Sequence, residues 1–174
     1  MKSAWQSCTR AVRWFNGLMG YLSAIIIVVC TISLTYEVLV RYFFKAPTEW
    51  SLEFNIFMLI AATFFAAAHT QDKRGHVGIG VLDGIMSKRW NRWRYLLIDV
   101  LSLALCAFVT YFTWKHFYMV WTQGWVTEST WAPKLWIPYF SMAFGLTTLV
   151  IQYLVQIVDE RIIPLCKGET DGSV

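Results

Sequence analysis

The sequence predicts an all-α integral membrane protein: one unit over residues 1–174, with four transmembrane helices and both termini in the cytoplasm. Three observations carry this. The chain is 57% hydrophobic and 17% aromatic, more apolar than a soluble domain. Four segments reach the roughly 20 mostly apolar residues that a helix needs to cross a bilayer. The basic residues gather on one side of those segments.

Taken in order, the elements begin with an amphipathic stretch near residues 4–16. It puts Trp5, Cys8, Val12 and Phe15 on one face and Arg10 and Arg13 off it, which predicts a helix lying on the cytoplasmic surface. The first span follows near residues 17–44. Its apolar run, Leu18 to Tyr36, is too long for a signal-peptide core, and no small-x-small cleavage site follows. Pro47 biases Ala46 away from helix and closes that span. Thr48 is placed to cap the second span, near 49–70, and Glu49 falls where the helix dipole favours a carboxylate. A second surface helix is expected near 79–92. There Leu82, Ile85, Met86 and Trp90 share one face, and Asp83, Ser87 and Asn91 the other. The third span, near 93–122, would measure about 45 Å as helix. The hydrocarbon core is about 30 Å thick, so this span must tilt or project. The connection "TQGWVTESTWAPKLWIP" carries only Glu128 and Lys134 as charges, and the fourth span lies near 134–158.

Orientation follows from the Lys and Arg residues. Lys2, Arg10 and Arg13, then Lys73, Arg74, Lys88, Arg89, Arg92 and Arg94, then Arg161 and Lys167 fall on one side. Only Arg41, Lys45, Lys115 and Lys134 fall on the other. The positive-inside rule therefore puts both termini inside. The net charge of +4 is this asymmetry and does not indicate a nucleic-acid partner. Trp5, Trp14, Trp90 and Trp93 sit at inner ends, and Trp50, Trp114, Trp121, Trp125, Trp131 and Trp136 at or near outer ends. Trp favours the headgroup level because its ring is apolar and its N–H is not.

Reactive chemistry is sparse. The stretches Leu18–Tyr36, Phe54–Ala68, Val100–Trp114 and Leu135–Val158 contain no Asp, Glu, Lys, Arg or His. Carriers and pumps place such groups inside the membrane, so a proton or ion path made by this chain alone is not expected. The uncharged Asn55, Thr63, Thr110, Thr147 and Gln152 read as interhelical hydrogen-bonding groups, worth about 0.6 kcal/mol each. The four Cys form no C-x-x-C pair, so no metal or redox motif is visible. A haem- or quinone-associated respiratory anchor is the alternative class. Bis-His ligation needs two His at one depth, whereas His69 falls at the inner end of its span and His116 near the outer end of its own. No enzyme motif and no cofactor site is read from the chain.

The densest charge cluster is outside, in "RYFFKAPTEWSLEF". Glu37, Arg41 and Lys45 are spaced i, i+4, i+8 and form one helical stripe. Glu49 and Glu53 lie one turn apart on the next helix. Three readings stay open: a hairpin that Arg41 and Lys45 close against Glu49 and Glu53, the same charges also positioning a partner, or a solvated turn.

The run Arg41-Tyr42-Phe43-Phe44 with Pro47, Trp50 and Glu53 resembles the first outer motif of the small membrane subunit of TRAP transporters, the tripartite ATP-independent periplasmic transporters (the DctQ-like family). The stretch "DKRGHVGIGVLDGI", with Lys73, Arg74, Gly75 and His76, resembles that family's inner motif. Lys45 and Gly80 depart from it, standing where the family often has Asn and Asp. The resemblance implies an accessory scaffold subunit in a bacterial inner membrane. It implies a separate large membrane subunit that carries the substrate and sodium sites, and a periplasmic binding protein that delivers an organic acid. It places an outer-end structural or subunit-interface motif at Arg41, Pro47, Trp50 and Glu53, to which the charge spacing adds Glu37 and Glu49, and an inner-end motif at Lys73, Arg74, Gly75 and His76.

Overall fold

A computed structural model describes residues 2–45, 49–73, 88–129 and 131–158. It has four helices: α1 (Lys2–Phe44), α2 (Glu49–Asp72), α3 (Lys88–Gln123) and α4 (Trp136–Ile157). All four are long and apolar enough to cross a membrane. At 1.5 Å per residue, α2 and α4 measure about 36 and 33 Å, while α1 and α3 reach about 65 and 54 Å. No strand occurs among the described residues; Val126 and Lys134 form one isolated antiparallel bridge.

The main difference from the sequence reading is the start of α1. Residues 4–16 are not a separate surface helix. They are the first turns of α1 and run without a break into the span. No proline interrupts them. Asn16, whose amide could compete for the backbone, uses its side-chain N–H on Gln152 of α4 instead. The expected surface helix near 79–92 lies mostly outside the described residues; from Lys88 onward the chain is already α3.

The α3–α4 connection turns at Gly124, where φ is +64°. The N–H groups of Gly124 and Trp125 both bond to the Val120 carbonyl, at 3.1 and 3.4 Å. Leu135 N–H then returns to the Trp125 carbonyl (3.0 Å) and Thr127 N–H to that of Pro133 (3.2 Å). The loop is thereby closed on itself. Pro138 follows in the first turn of α4, where its missing N–H costs no helical bond.

The helices pack as a row. The main contacts join α1 to α2, α2 to α4 and α4 to α3, and α1 touches α4 only narrowly. The spanning windows of α2 and α4 are 28% and 39% buried, against 11% for α1 and 6% for α3, which makes α2 and α4 the centre. Lipid chains are as apolar as leucine, so burial alone does not join helices in a bilayer; close backbone approach and hydrogen bonds do. The core side chains match that requirement: Ala61, Ala62 and Ala68 on α2, and Ala143, Gly145 and Leu146 on α4. A Cβ on Gly145 would stand 2.6 Å from the Phe64 carbonyl oxygen of α2. Ser23 of α1 donates to the Ala62 carbonyl of α2 at 2.7 Å. Aromatic rings fill the seam between α4 and α3, with Phe117 against Phe140 at 5.8 Å and Trp121 against Trp136 at 4.9 Å. Trp114 Nε1 donates to Thr147 Oγ1 at 3.0 Å.

The same substitution at two glycines separates packing from propensity. A Cβ at Gly17 would meet nothing within 4 Å, so Gly17→Ala should raise stability by up to about 1 kcal/mol through helix propensity. Gly145→Ala gains the same propensity but forces α2 and α4 apart, and should lower the thermal unfolding midpoint of the purified protein.

Candidate functional site

Two polar clusters punctuate the apolar row, one at each end. At the end that carries the α1–α2 hairpin, Glu37 lies buried on α1 (5% exposed). One turn on, Arg41 Nη2 donates to its Oε1 at 2.7 Å. The arginine is largely exposed, so its Coulombic contribution is screened. The carboxylate is not exposed, and loss of the arginine would leave a buried charge without compensation, which is the costly case. One turn below Glu37, Ser33 joins Ser51 and Asn55 of α2. Asn55 Nδ2 donates to the Ser51 carbonyl at 2.7 Å and to Ser33 Oγ at 3.1 Å. This polar seam sets the register of α1 against α2.

The clasp expected across the hairpin, from Arg41 and Lys45 to Glu49 and Glu53, is therefore corrected: Glu53 receives neither cation. Arg41 pairs within its own helix, because a residue four positions away is always within reach. Lys45 follows the helix with φ at +51°; it is exposed and forms no ion pair among the described residues. Glu53 is half-buried, and its Oε2 is fully enclosed without a hydrogen-bond partner. Trp50 is half-exposed, its ring 6.5 Å from that of Phe54. Glu49 opens α2. Pro47 and the Thr48 cap lie outside the described residues.

The opposite end holds a cluster of which the sequence reading names only Gln152, as an interhelical hydrogen-bonding group. Gln152 of α4 is completely buried and uses both ends of its amide. Its Oε1 accepts from Asn16 Nδ2 of α1 at 2.8 Å, and its Nε2 donates to Asp72 Oδ1 of α2 at 2.9 Å. The same Asp72 oxygen stands 3.6 Å from Arg13 Nε. One turn along, Gln71 Nε2 donates to Gln156 Oε1 at 2.9 Å, and Gln156 Nε2 donates to the Gln71 carbonyl at 3.1 Å. Three helices are tied here by fully directed bonds. The sequence signal was available: Gln152 and Gln156 are one turn apart in an apolar run, and Gln71-Asp72 closes another. Of the expected inner motif, Lys73 is exposed just after α2, its N–H bonded to the His69 carbonyl at 3.2 Å. Arg74, Gly75 and His76 lie outside the described residues.

The two described histidines have separate surroundings. His69 lies over Gly20 of α1, where a Cβ would come within 2.6 Å of its ring. His116 of α3 packs against Tyr139 at 4.7 Å and Trp125 at 6.3 Å. They do not form a ligand pair. Among the described residues, no group of three His, Cys, Asp or Glu could hold a metal ion.

Removing the Gln152 amide should leave Asn16 and Asp72 short of a partner in a buried site. Gln152→Leu should cost on the order of 1–3 kcal/mol in detergent unfolding. Adding Asn16→Leu should cost less than the sum of the two single changes. At the other end, Arg41→Ala should destabilise, and Glu37→Gln in that background should recover much of the loss. Double-mutant cycles on unfolding midpoints measure both couplings.

Comparison with curated proteins gives no match. A comparison with protein-family models gives one, described as "Tripartite ATP-independent periplasmic transporters, DctQ component", over residues 30–161. That match takes in the outer charge motif, the inner basic motif and all of α2, α3 and α4. It lends no support to a respiratory anchor. With four apolar helices long enough to span a bilayer and a family match over more than half its length, the chain belongs to the DctQ family and is a multi-pass membrane component of a TRAP transporter.

Proposed function

We propose that this chain is the non-catalytic scaffold subunit of a sodium-coupled transporter in a bacterial inner membrane. Its termini face the cytoplasm and its hairpin end faces the periplasm. It assembles with a separate large membrane subunit that carries substrate and sodium, and a periplasmic binding protein delivers the substrate, an organic acid. The observation that carries this reading is the division between ends and interior. Ion pairs and amide clusters lie at the helix ends, while the middles of the spans hold no Asp, Glu, Lys, Arg or His. A chain built this way can brace a transporter but has no relay of its own. The lopsided distribution of Lys and Arg supports the orientation. On this reading the outer-end residues Glu37, Arg41, Pro47, Glu49, Trp50 and Glu53 shape a face toward the large subunit, and Lys73, Arg74, Gly75 and His76 fix the inner end.

Reconstitution tests it. Vesicles holding this chain with the large subunit should take up an organic acid when sodium and the binding protein are supplied. Vesicles holding this chain alone should show no flux. Arg41→Ala should lower uptake and the yield of co-purified complex while leaving the ranking of substrates unchanged. Flux through this chain alone, or a large subunit equally stable and active without it, would refute the proposal.

A further inference from the structure

Glu53 stands near the start of α2 with Oε2 enclosed and unpartnered. The nearest basic residues in the sequence do not answer it: Arg41 is bonded to Glu37, and Lys45 forms no ion pair among the described residues. Beside the carboxylate is a cavity of about 320 Å³ between α2, α4 and the loop that joins α3 to α4. Its walls are mainly apolar, with Ile56, Phe57 and Ile60 on one side and Pro138 and Met142 on the other. From Glu53 to Ile60 is about 10 Å along the helix. The cavity is thus a greasy slot with an acid at one end. Ile56 is 47% exposed and stands at its rim.

We propose that this slot is the socket for an arginine or lysine side chain of the large transport subunit. The proposal rests on the reading above that such a subunit packs on this chain. Glu53 is half-buried, with Oε2 enclosed and unpartnered; an acid drawn this far from water without a cation is destabilising, and a cation that a partner delivers to the open side of the carboxylate offsets that. Lys and Arg combine an aliphatic stem with a charged head, which is the polarity the slot presents. Its volume, at the lower end of the range for ligand pockets, admits an Arg or Lys side chain with room to spare. A phospholipid ammonium would also meet the acid, but its phosphate would then lie along the wall. Among the described residues, the polar ones lining the cavity besides Glu53 are Thr127 and Tyr139, and neither carries a positive charge to receive a phosphate.

The test uses the co-expressed complex, with a photo-crosslinking amino acid at Ile56 and peptide mapping of the products. The crosslink should fall on the large subunit within one helical turn of an Arg or Lys. Glu53→Gln should weaken the complex at least tenfold. It should leave the unfolding midpoint of the isolated chain unchanged or higher, since it removes an unpaired acid; a merely structural Glu53 would lower that midpoint. A crosslink to lipid, to the binding protein or within this chain alone, or a Glu53→Gln complex as tight as wild type, overturns the proposal. Failure of the wild-type chain to co-purify with the large subunit sinks the parent reading and this one together. Co-purification without the expected crosslink sinks only this one.

Discussion

The joint between α2 and α4 carries the row, because α1 reaches the rest of the protein mainly through α2 and α3 through α4. It is made where Gly145 lets the backbone of α4 settle against the Phe64 carbonyl, with Ala61, Ala62, Ala68 and Ala143 keeping the surrounding surface low. Small residues bring two helices close enough for dispersion to act between backbones, the attraction that survives when the surroundings are hydrocarbon. The amide cluster then fixes how far along its axis each helix sits. Gln152 bonds in two directions, to α1 and to α2, so a shift of either helix along its axis would break a buried bond. Close packing provides attraction without register, and the amides provide register.

The two carboxylates of the hairpin end show how one residue type takes opposite roles. Glu37 has its cation one turn away on the same helix, so α1 carries a closed pair before α2 is in place. Glu53 has no such neighbour: one turn along α2 from it is Phe57, and one turn back is Glu49, another acid. Local spacing therefore neutralises the first and strands the second. The pair belongs to the fold, whereas Glu53 Oε2 is enclosed without a hydrogen-bond partner.

The number of spans is legible in the sequence because it depends on apolar run length, a one-dimensional quantity. The second span, expected near 49–70, is α2 at Glu49–Asp72; the fourth, near 134–158, is α4 at Trp136–Ile157. The start of α1 is less legible, since a surface helix and a span share the same 3.6-residue period and nothing in residues 4–16 says where one would end. The Glu37–Arg41 pair can be read from its spacing. The expected reach of Arg41 to Glu53 cannot, because it depends on the direction of the chain after Lys45, which takes a positive φ that few non-glycine residues adopt. The amide cluster is hardest to read. Gln152 reads as an interhelical hydrogen-bonding group, but its partner does not show: Asn16 is 136 positions away.

The lengths of the helices bear on what such a row can do. The central pair, α2 and α4, nearly matches the hydrocarbon thickness, and the edge helices α1 and α3 exceed it by tens of ångströms. A helix too long for its bilayer must tilt or stand out of it. Here the excess is suited to standing out: α1 begins with Lys2, Arg10 and Arg13, and α3 ends in Lys115, His116, Thr122 and Gln123. The edge helices are also the ones whose surfaces the row leaves uncovered, with Tyr21, Ile25, Val28 and Ile32 outward on α1 and Leu97, Leu101, Leu105 and Phe108 outward on α3. The chain is therefore a bilayer-matched centre, closed by the small-residue joint, flanked by two longer helices whose outer faces the row leaves uncovered.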